Sequence, residues 1–504
     1  MDFYPMYIGG RWVASKSGER FTSLNPANGE ILGEVAKGGR EDAEAAIQAA
    51  KEAFEPWRKT PAPRRGEILF RAAEILKARK EELARLMTRE MGKVLVEARG
   101  DVQEAIDMTY YMAGEGRRLF GETVPAEMPN KFAMAVREAI GVVGVITPWN
   151  FPIAIPSWKI MPALICGNTV VLKPASDTPI LAYTLVKILE EAGVPPGVVN
   201  LVYGPGSTVG EAILEHPDVP VITFTGSNPA GVRVNTVAAP RLKRVHLELG
   251  GKNAIIVMDD ADLDLAVEGI VWSAFGTSGQ RCTAASRVIA HRAIKDQLLS
   301  RLMDRVRRMR LGDGLLPETD VGPVINRDSL HKIHSYTEIA RQEGASVAVG
   351  GEIATEGELA KGFFYKPTIF VDVKPEMRVA QEEIFGPVTS VIEARGLEEA
   401  IAINNRVSYG LSSSIYTRNV NTAFTAIRDL MTGLVYVNHG TIGSEVHLPF
   451  GGMRQTGNGH REAGQAAIDF YTEWKSVYVD FSGKLQRAQI DIPAEPAAAA
   501  ASAR

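Results

Sequence analysis

Two cysteines occur in the 504-residue chain, and one of them sits in a setting suited to chemistry. Cys282 lies in Phe275-Gly276-Thr277-Ser278-Gly279-Gln280-Arg281-Cys282-Thr283-Ala284-Ala285-Ser286. Small neighbours let a backbone pass close to a ligand and leave a thiol accessible. Arg281, next in sequence, would favour the thiolate that a nucleophile needs. The same residues also fit a buried cysteine acting as a small hydrophobe. A second stretch, His246-Leu247-Glu248-Leu249-Gly250-Gly251-Lys252, sets a carboxylate at the end of an apolar strand against a Gly-Gly turn. A carboxylate there serves as a general base if its surroundings raise its pKa, or simply caps the turn.

Taken together, with Glu248 and Cys282 separated by 34 residues (282 − 248), the two stretches resemble the base motif Glu-Leu-Gly-Gly-Lys and the nucleophile motif Gly-Gln-x-Cys of the aldehyde dehydrogenase superfamily. The resemblance runs from about Met6 to Val479. It implies that Cys282 attacks an aldehyde carbonyl and that Glu248 activates the water that releases the acid. Pro148-Trp149-Asn150 matches the segment supplying the oxyanion amide, so Asn150 and the Cys282 N–H are the expected donors. By the same resemblance Lys159 and Glu462 form a proton relay behind Glu248.

The elements around these residues read as an α/β protein. Short β-like pieces come first, at Tyr7-Ile8 and Arg11-Trp12-Val13. Helical spacing follows over 41–54, from beyond Pro63 to Met91, and over 94–119. From residue 141 apolar runs alternate with helical patterns. The runs are Val142–Ile146, Thr169–Leu172, Val198–Val202, Val219–Phe224 and Arg244–Leu247, the grammar of a doubly wound parallel sheet. A second α/β unit begins at residue 252, with a strand at 253–257 and a helix at 263–275. A basic helix over 294–309 reads as a solvated face. Together with these patterns, the resemblance implies an α/β fold made of a Rossmann-like cofactor domain, a second α/β catalytic domain and a small β oligomerisation arm. The expected boundaries are 1–116 and 141–251 for cofactor binding, 252–469 for catalysis, 117–140 with 470–485 for the arm, and a tail over 486–504. Pro493 to Arg504 is Ala-rich and of low complexity, the composition of a disordered tail.

Ligands of such sheets bind beyond the carboxyl ends of the strands. The resemblance puts NAD or NADP there, against Ile146, Thr147, Pro148 and Trp149, Lys173 and Ser176, and Gly206 and Gly210. It continues over Gly226, Ser227 and Gly231, then Leu249, Glu383 and Phe385. Ser176 departs from the glutamate common in NAD-preferring members, and a serine does not repel a 2′-phosphate. No metal-ligand cluster is evident.

Composition bounds the rest. Hydrophobic residues make up 45% and charged ones 23%, in the range of globular enzymes rather than disordered or fibrous chains. A net charge of −4, with no basic block, argues against nucleic-acid binding. No apolar stretch is long enough to span a bilayer. With two cysteines, no disulfide framework and no basic-then-apolar leader, a cytoplasmic protein is expected, as a homodimer or homotetramer. Three rivals differ in one feature each. A CoA-acylating relative would lack Glu248, a structural protein on the same fold would lack Cys282, and a regulatory module would carry an added domain. For the substrate, Arg281 and Glu445-Val446-His447 resemble semialdehyde dehydrogenases acting on a distal carboxylate, such as 2-oxoglutarate or succinate semialdehyde. A broad-specificity aldehyde dehydrogenase fits equally.

Overall fold

The computed structural model describes residues 1–491. The tail from Pro493 onward lies outside them. Residue Gln486, assigned to the tail, is buried and donates to the Pro129 carbonyl (2.8 Å), so the start of that segment is anchored on the body.

The apolar runs become the strands of a seven-stranded sheet. Its parallel core is β1 (Val142–Ile146), β2 (Thr169–Lys173), β3 (Val199–Leu201), β4 (Val221–Thr225) and β5 (Arg244–Glu248). Their spatial order is 5-4-1-2-3, and Met6–Ile8 and Arg11–Val13 close the β3 edge antiparallel. Strands covered on both faces have no need of alternation, which is why they read as continuous apolar runs. The order reverses between β1 and β4, and the loops leaving those two strands flank the crevice at that reversal. One residue matters here: β5 ends on Glu248 rather than Leu247, so the candidate base is the last rung of the ladder, opposite Thr225.

A second seven-stranded sheet runs Ser346–Val349, Thr368–Val371, Val388–Ala394, Arg287–His291, Ala254–Val257, Ser412–Tyr416 and Leu434–Val437. Only the Ser346–Val349 edge is antiparallel. Leu263–Phe275 is a helix, as its periodicity predicts, N-capped by Asp262 accepting from the Leu265 amide (3.2 Å). The helix expected to run on to Met91 is two helices, Ala62–Ala78 and Lys80–Met91, because Arg79 leaves helical geometry (φ −100°, ψ 13°). The next helix stops at Glu115 rather than 119. Gly116 there lies so close to the Ala62 carbonyl that a Cβ would come within 2.6 Å.

Lys131–Ala139 pairs antiparallel with Thr472–Asp480 over nine residue pairs, and Glu122–Pro125 adds a third strand. This small sheet is tied to the large one by Asn168, which is fully buried. Its Oδ1 accepts from the Ile140 and Gly141 amides (2.8 and 3.1 Å), and its Nδ2 donates to the Tyr471 carbonyl (2.8 Å). Three backbone groups at the root of the arm are thus satisfied by one side chain. Asn168→Leu strands them, at about 1–3 kcal/mol for each group left buried and unpaired. We predict faster amide hydrogen exchange over 131–139 and 472–480 in that variant. Protection equal to that of the wild type would show that Asn168 does not anchor the arm.

Candidate active site

The nucleophile loop begins where Gly276 ends the helix Leu263–Phe275. Thr277 (φ 53°), Ser278 (φ 54°) and Gly279 (φ 68°) then follow one another in the left-handed region. For the two non-glycine residues this conformation costs roughly 1–3 kcal/mol each. Side chains hold the run in place. The Glu97 carboxylate accepts from the Thr277 amide (2.8 Å) and hydroxyl (3.2 Å), and Ser278 donates to the Gly322 carbonyl (2.7 Å). At Gly279 a Cβ would sit 1.9 Å from the Gly386 carbonyl oxygen, so only glycine fits.

Beyond this turn the loop carbonyls are pinned one by one. Asn150 donates to Gln280 O (3.1 Å), Asn253 to Cys282 O (2.7 Å) and Ala284 O (3.0 Å), and Thr441 to Thr283 O (2.7 Å). The Asn150 amide therefore fastens the loop with one of its two N–H groups, a role the sequence reading did not give it. Gly250 and Gly251 are required by close approach. A Cβ on Gly250 would lie 2.4 Å from the Glu383 carboxylate, and one on Gly251 would lie 2.5 Å from Cys282 O. The Gly-Gly turn thus docks the base strand against the nucleophile loop.

Two cavities meet at Cys282. The wider, about 780 Å³, is lined by Cys282, Glu248 and Glu462 with Phe151, Trp158, Trp272 and Phe450, and by Arg281, Glu97, Glu104, Glu445 and His447. The narrower, about 200 Å³, is lined by Cys282, Asn150, Pro148, Trp149, Gly226, Ser227, Leu249, Glu383 and Phe385. Trp149 and Phe385 meet edge to face at 5.4 Å. Ile146, Thr147, Lys173, Ser176, Gly206, Gly210 and Gly231 do not line either space.

The narrow cavity opens at the strand-order reversal, and its surroundings fit a dinucleotide. The helix Asn228–Ala238 starts at Ser227 with no side-chain cap on its free amides, the arrangement that accepts phosphate. Gly231 is packed on Leu249, whereas Gly206 and Gly210 have open space at the Cβ position. Lys173 is buried with one partner, the Pro174 carbonyl (2.9 Å), and burial pulls its ammonium down to about 8. Ser176 is exposed, but a carboxylate stands next to it: Asp177, which accepts from Asn326 (2.9 Å).

Electrostatics depart from the sequence reading at Arg281. Its guanidinium faces Glu97 (3.4 Å), donates to Thr277 Oγ1 (2.9 Å) and lies over the Phe151 ring. Its charge is thus turned to Glu97 and the Phe151 ring rather than to the thiol. The Cys282 thiol is held above its ordinary range by burial, and then by the negative charges of Glu248, Glu383 and Glu462. Glu248 is buried, and neither carboxylate oxygen has a hydrogen-bond partner among the described residues. Burial first, and Glu462 second, raise its pKa well above the carboxylate range. Behind it Lys159 pairs with Glu462 and donates to Thr223 Oγ1 (3.1 Å). The structure thus brings Cys282, Glu248, Glu462 and Lys159, distant in the sequence, to one place. The sequence reading passed over His246, whose ring lies between Glu248 and Glu462, and Asn253, whose amide has no motif of its own.

With this geometry in hand, similarity to known proteins can be set beside it. Residues 12–477 match the model of the aldehyde dehydrogenase family. The chain is 44% identical over 477 residues to alpha-ketoglutaric semialdehyde dehydrogenase of Bacillus subtilis (strain 168), covering 94% of this chain and 98% of the relative. Identity is 43% over 474 residues to alpha-ketoglutarate semialdehyde dehydrogenase of Haloferax volcanii, with 94% and 98% covered. Betaine aldehyde dehydrogenase from Staphylococcus aureus, solved in complex with NAD+, superposes with a TM-score of 0.93 at 37% identity, covering 95% of this chain and 96% of that one. A nucleophile loop and a buried carboxylate meeting at one cleft, on this fold and across this length of match, make the chain a member of the aldehyde dehydrogenase family.

Proposed function

We propose that the protein oxidises an aldehyde to a carboxylic acid with NAD or NADP. The observation that carries this reading is that Cys282 lies where the two cavities join, with Glu248 on the wall of the wider one. The Cys282 thiolate adds to the aldehyde carbonyl. The free N–H of Asn150 and the Cys282 amide stabilise the oxyanion. Bound NAD or NADP supplies the hydride acceptor. Lys173 and Ser176 would hold its adenosine end, the helix start at Ser227 its phosphates, and Glu383 and Phe385 its nicotinamide end. The acyl group left on Cys282 as a thioester is then hydrolysed by water that Glu248 deprotonates.

The division we propose, 1–116 with 141–251, 252–469, and 117–140 with 470–485, gives each seven-stranded sheet and the arm sheet a unit of its own, the first unit also holding the small sheet of Phe3–Tyr4, Arg20–Leu24 and Ile31–Ala36, with cofactor, catalytic and assembly roles respectively. A homodimer or homotetramer is supported by Trp474, Tyr478 and Phe481, apolar side chains exposed on and just beyond the last strand of the arm. A reducing, cytoplasmic setting accords with two unpaired cysteines, Cys166 and Cys282. Among the described residues no helix is long and apolar enough to cross a membrane.

A second reading concerns the substrate. Arg281 is the arginine on the wall of the wider cavity, and the two relatives described above are named for a substrate with a distal carboxylate. Glu97 and Glu104 stand on the same wall, so a second anion is tolerated there only through Arg281.

Four outcomes test these readings. Glu248→Gln is expected to give a burst of reduced cofactor near one equivalent per site, followed by turnover slowed about a hundred- to ten-thousand-fold. Wild-type turnover would remove Glu248 from the role of base. In the wild type, hydrolysis should gain rate as pH rises through the elevated Glu248 pKa, and lose it as pH falls, because a protonated carboxyl takes no proton. Next, Arg281→Leu should lower kcat/KM for succinate or 2-oxoglutarate semialdehyde by roughly tenfold or more, about the value of one charged hydrogen bond. Its effect on an uncharged aldehyde of similar length should be small. Equal losses for both would make Arg281 a loop-packing residue. Finally, Ser176→Glu should weaken NADP selectively, since a carboxylate beside a 2′-phosphate is repulsive. NADP turnover absent in the wild type would overturn that reading.

A further inference from the structure

His246 is buried to 1% exposure, two residues before Glu248 on the same strand, so both side chains leave the same face of the sheet. Its two ring nitrogens face two different carboxylates. Nε2 lies 3.7 Å from Glu248 Oε1, and Nδ1 lies 3.4 Å from Glu462 Oε1. Nδ1 is also 3.4 Å from Thr223 Oγ1, the hydroxyl that takes a hydrogen bond from Lys159. Nε2 and both Glu248 oxygens are buried polar atoms without a hydrogen-bond partner among the described residues. Orphaned groups of this kind are costly in a well-packed interior and cluster where chemistry needs them. Here they face each other, a few tenths of an ångström from hydrogen-bond distance.

We infer that His246 is a positioning residue that connects Glu248 to the Glu462–Lys159 pair and carries away the proton Glu248 takes from water. This rests on the reading of Glu248 as the base. In the hydrolytic step the water oxygen bonds to the acyl carbon. The carbon–sulphur bond breaks with its electron pair going to Cys282, and one water proton goes to Glu248. Nε2 of the neutral imidazole then takes that proton while Nδ1–H gives one to Glu462. The ring changes tautomer, keeps zero charge, and leaves Glu248 ionised for the next turnover.

The surroundings keep the ring neutral. Lys159 faces it from the helix Ala154–Ile165, and His460, Arg461 and Glu462 from the segment 460–462. Thr223 faces it from the adjacent strand, with the Tyr471 phenol against that hydroxyl, and the Phe470 ring closes the remaining side. Burial and the Lys159, His460 and Arg461 charges hold the imidazolium form well below its ordinary pKa. A ring that must exchange tautomers rather than store charge needs that environment.

The test follows loss of the acyl group after a single burst in wild type, His246→Gln, Glu462→Gln, Glu248→Gln and the double variant His246→Gln/Glu462→Gln. Rates are divided by burst amplitude, so protein that fails to fold lowers the amplitude and leaves the rate readable. His246→Asn replaces the glutamine variant should its burst be too small. His246→Gln should retain the burst and lose the acyl group on the order of a hundredfold more slowly, the low end for impaired general-base catalysis. Its rate should climb with imidazole concentration at fixed pH and ionic strength, as an outside base takes over the transfer, while the wild-type rate does not. The double variant should be little slower than the worse single one, as expected of residues on one path. Wild-type acyl loss in His246→Gln overturns the inference. So does slowed loss that imidazole does not restore, which is what a packing role gives. Wild-type loss in Glu248→Gln instead strikes the reading beneath it.

Discussion

The left-handed run Thr277–Ser278–Gly279 is the constraint on which the site depends. Without it the chain leaving the helix Leu263–Phe275 would not turn toward the crevice with Cys282 at its mouth. Such a run is unfavourable for Thr and Ser, and it persists because neighbours over-determine it. Glu97 from an N-terminal helix binds Thr277, Ser278 reaches Gly322, and Gln280 accepts from the Ile325 amide (2.9 Å). Asn150 and Asn253 reach the loop from the ends of two different sheets. The nucleophile is therefore a point where both α/β units are sewn together. Side-chain hydrogen bonds to its backbone amides and carbonyls hold the loop in place, and Cys282 itself packs against the core.

The same junction explains the charge state. Glu248 is buried beside the Gly250-Gly251 turn that docks against Cys282 and Glu383, and burial raises the pKa of a carboxyl. An isolated buried carboxylate would be prohibitively costly. This one has the His246 ring and the Lys159–Glu462 pair behind it, which gives it a place to send a proton. The site thus balances two raised pKa values, thiol and carboxyl, against one buried cation. That balance suits a base that works on water more than a residue that merely binds.

Much of this was legible in the sequence, for identifiable reasons. Parallel strands buried on both faces read as unbroken apolar runs, so Val142–Ile146 emerged with its true ends. Arm pairing between Lys131–Ala139 and Thr472–Asp480 followed from resemblance, not from pattern, since partners so distant in sequence leave no local signal. Arg79 broke a helix that periodicity carried through, because neither Gly nor Pro marks the break. Adjacency in sequence misled at Arg281: next to Cys282 along the chain, its charge is turned toward Glu97. His246 was visible but mute. A histidine in an apolar strand acquires meaning only when Glu462, over two hundred positions away, is folded against it.

Whether Cys282 carries the acyl group decides the account. The direct measurement is acid quench of the enzyme during turnover of aldehyde with cofactor, followed by peptide mapping by mass spectrometry. The account predicts an acyl mass on the peptide containing Cys282 and none on that containing Cys166, whose thiol burial pushes up to about 12. Acyl on Cys166, or turnover with Cys282 unmodified throughout, would contradict it.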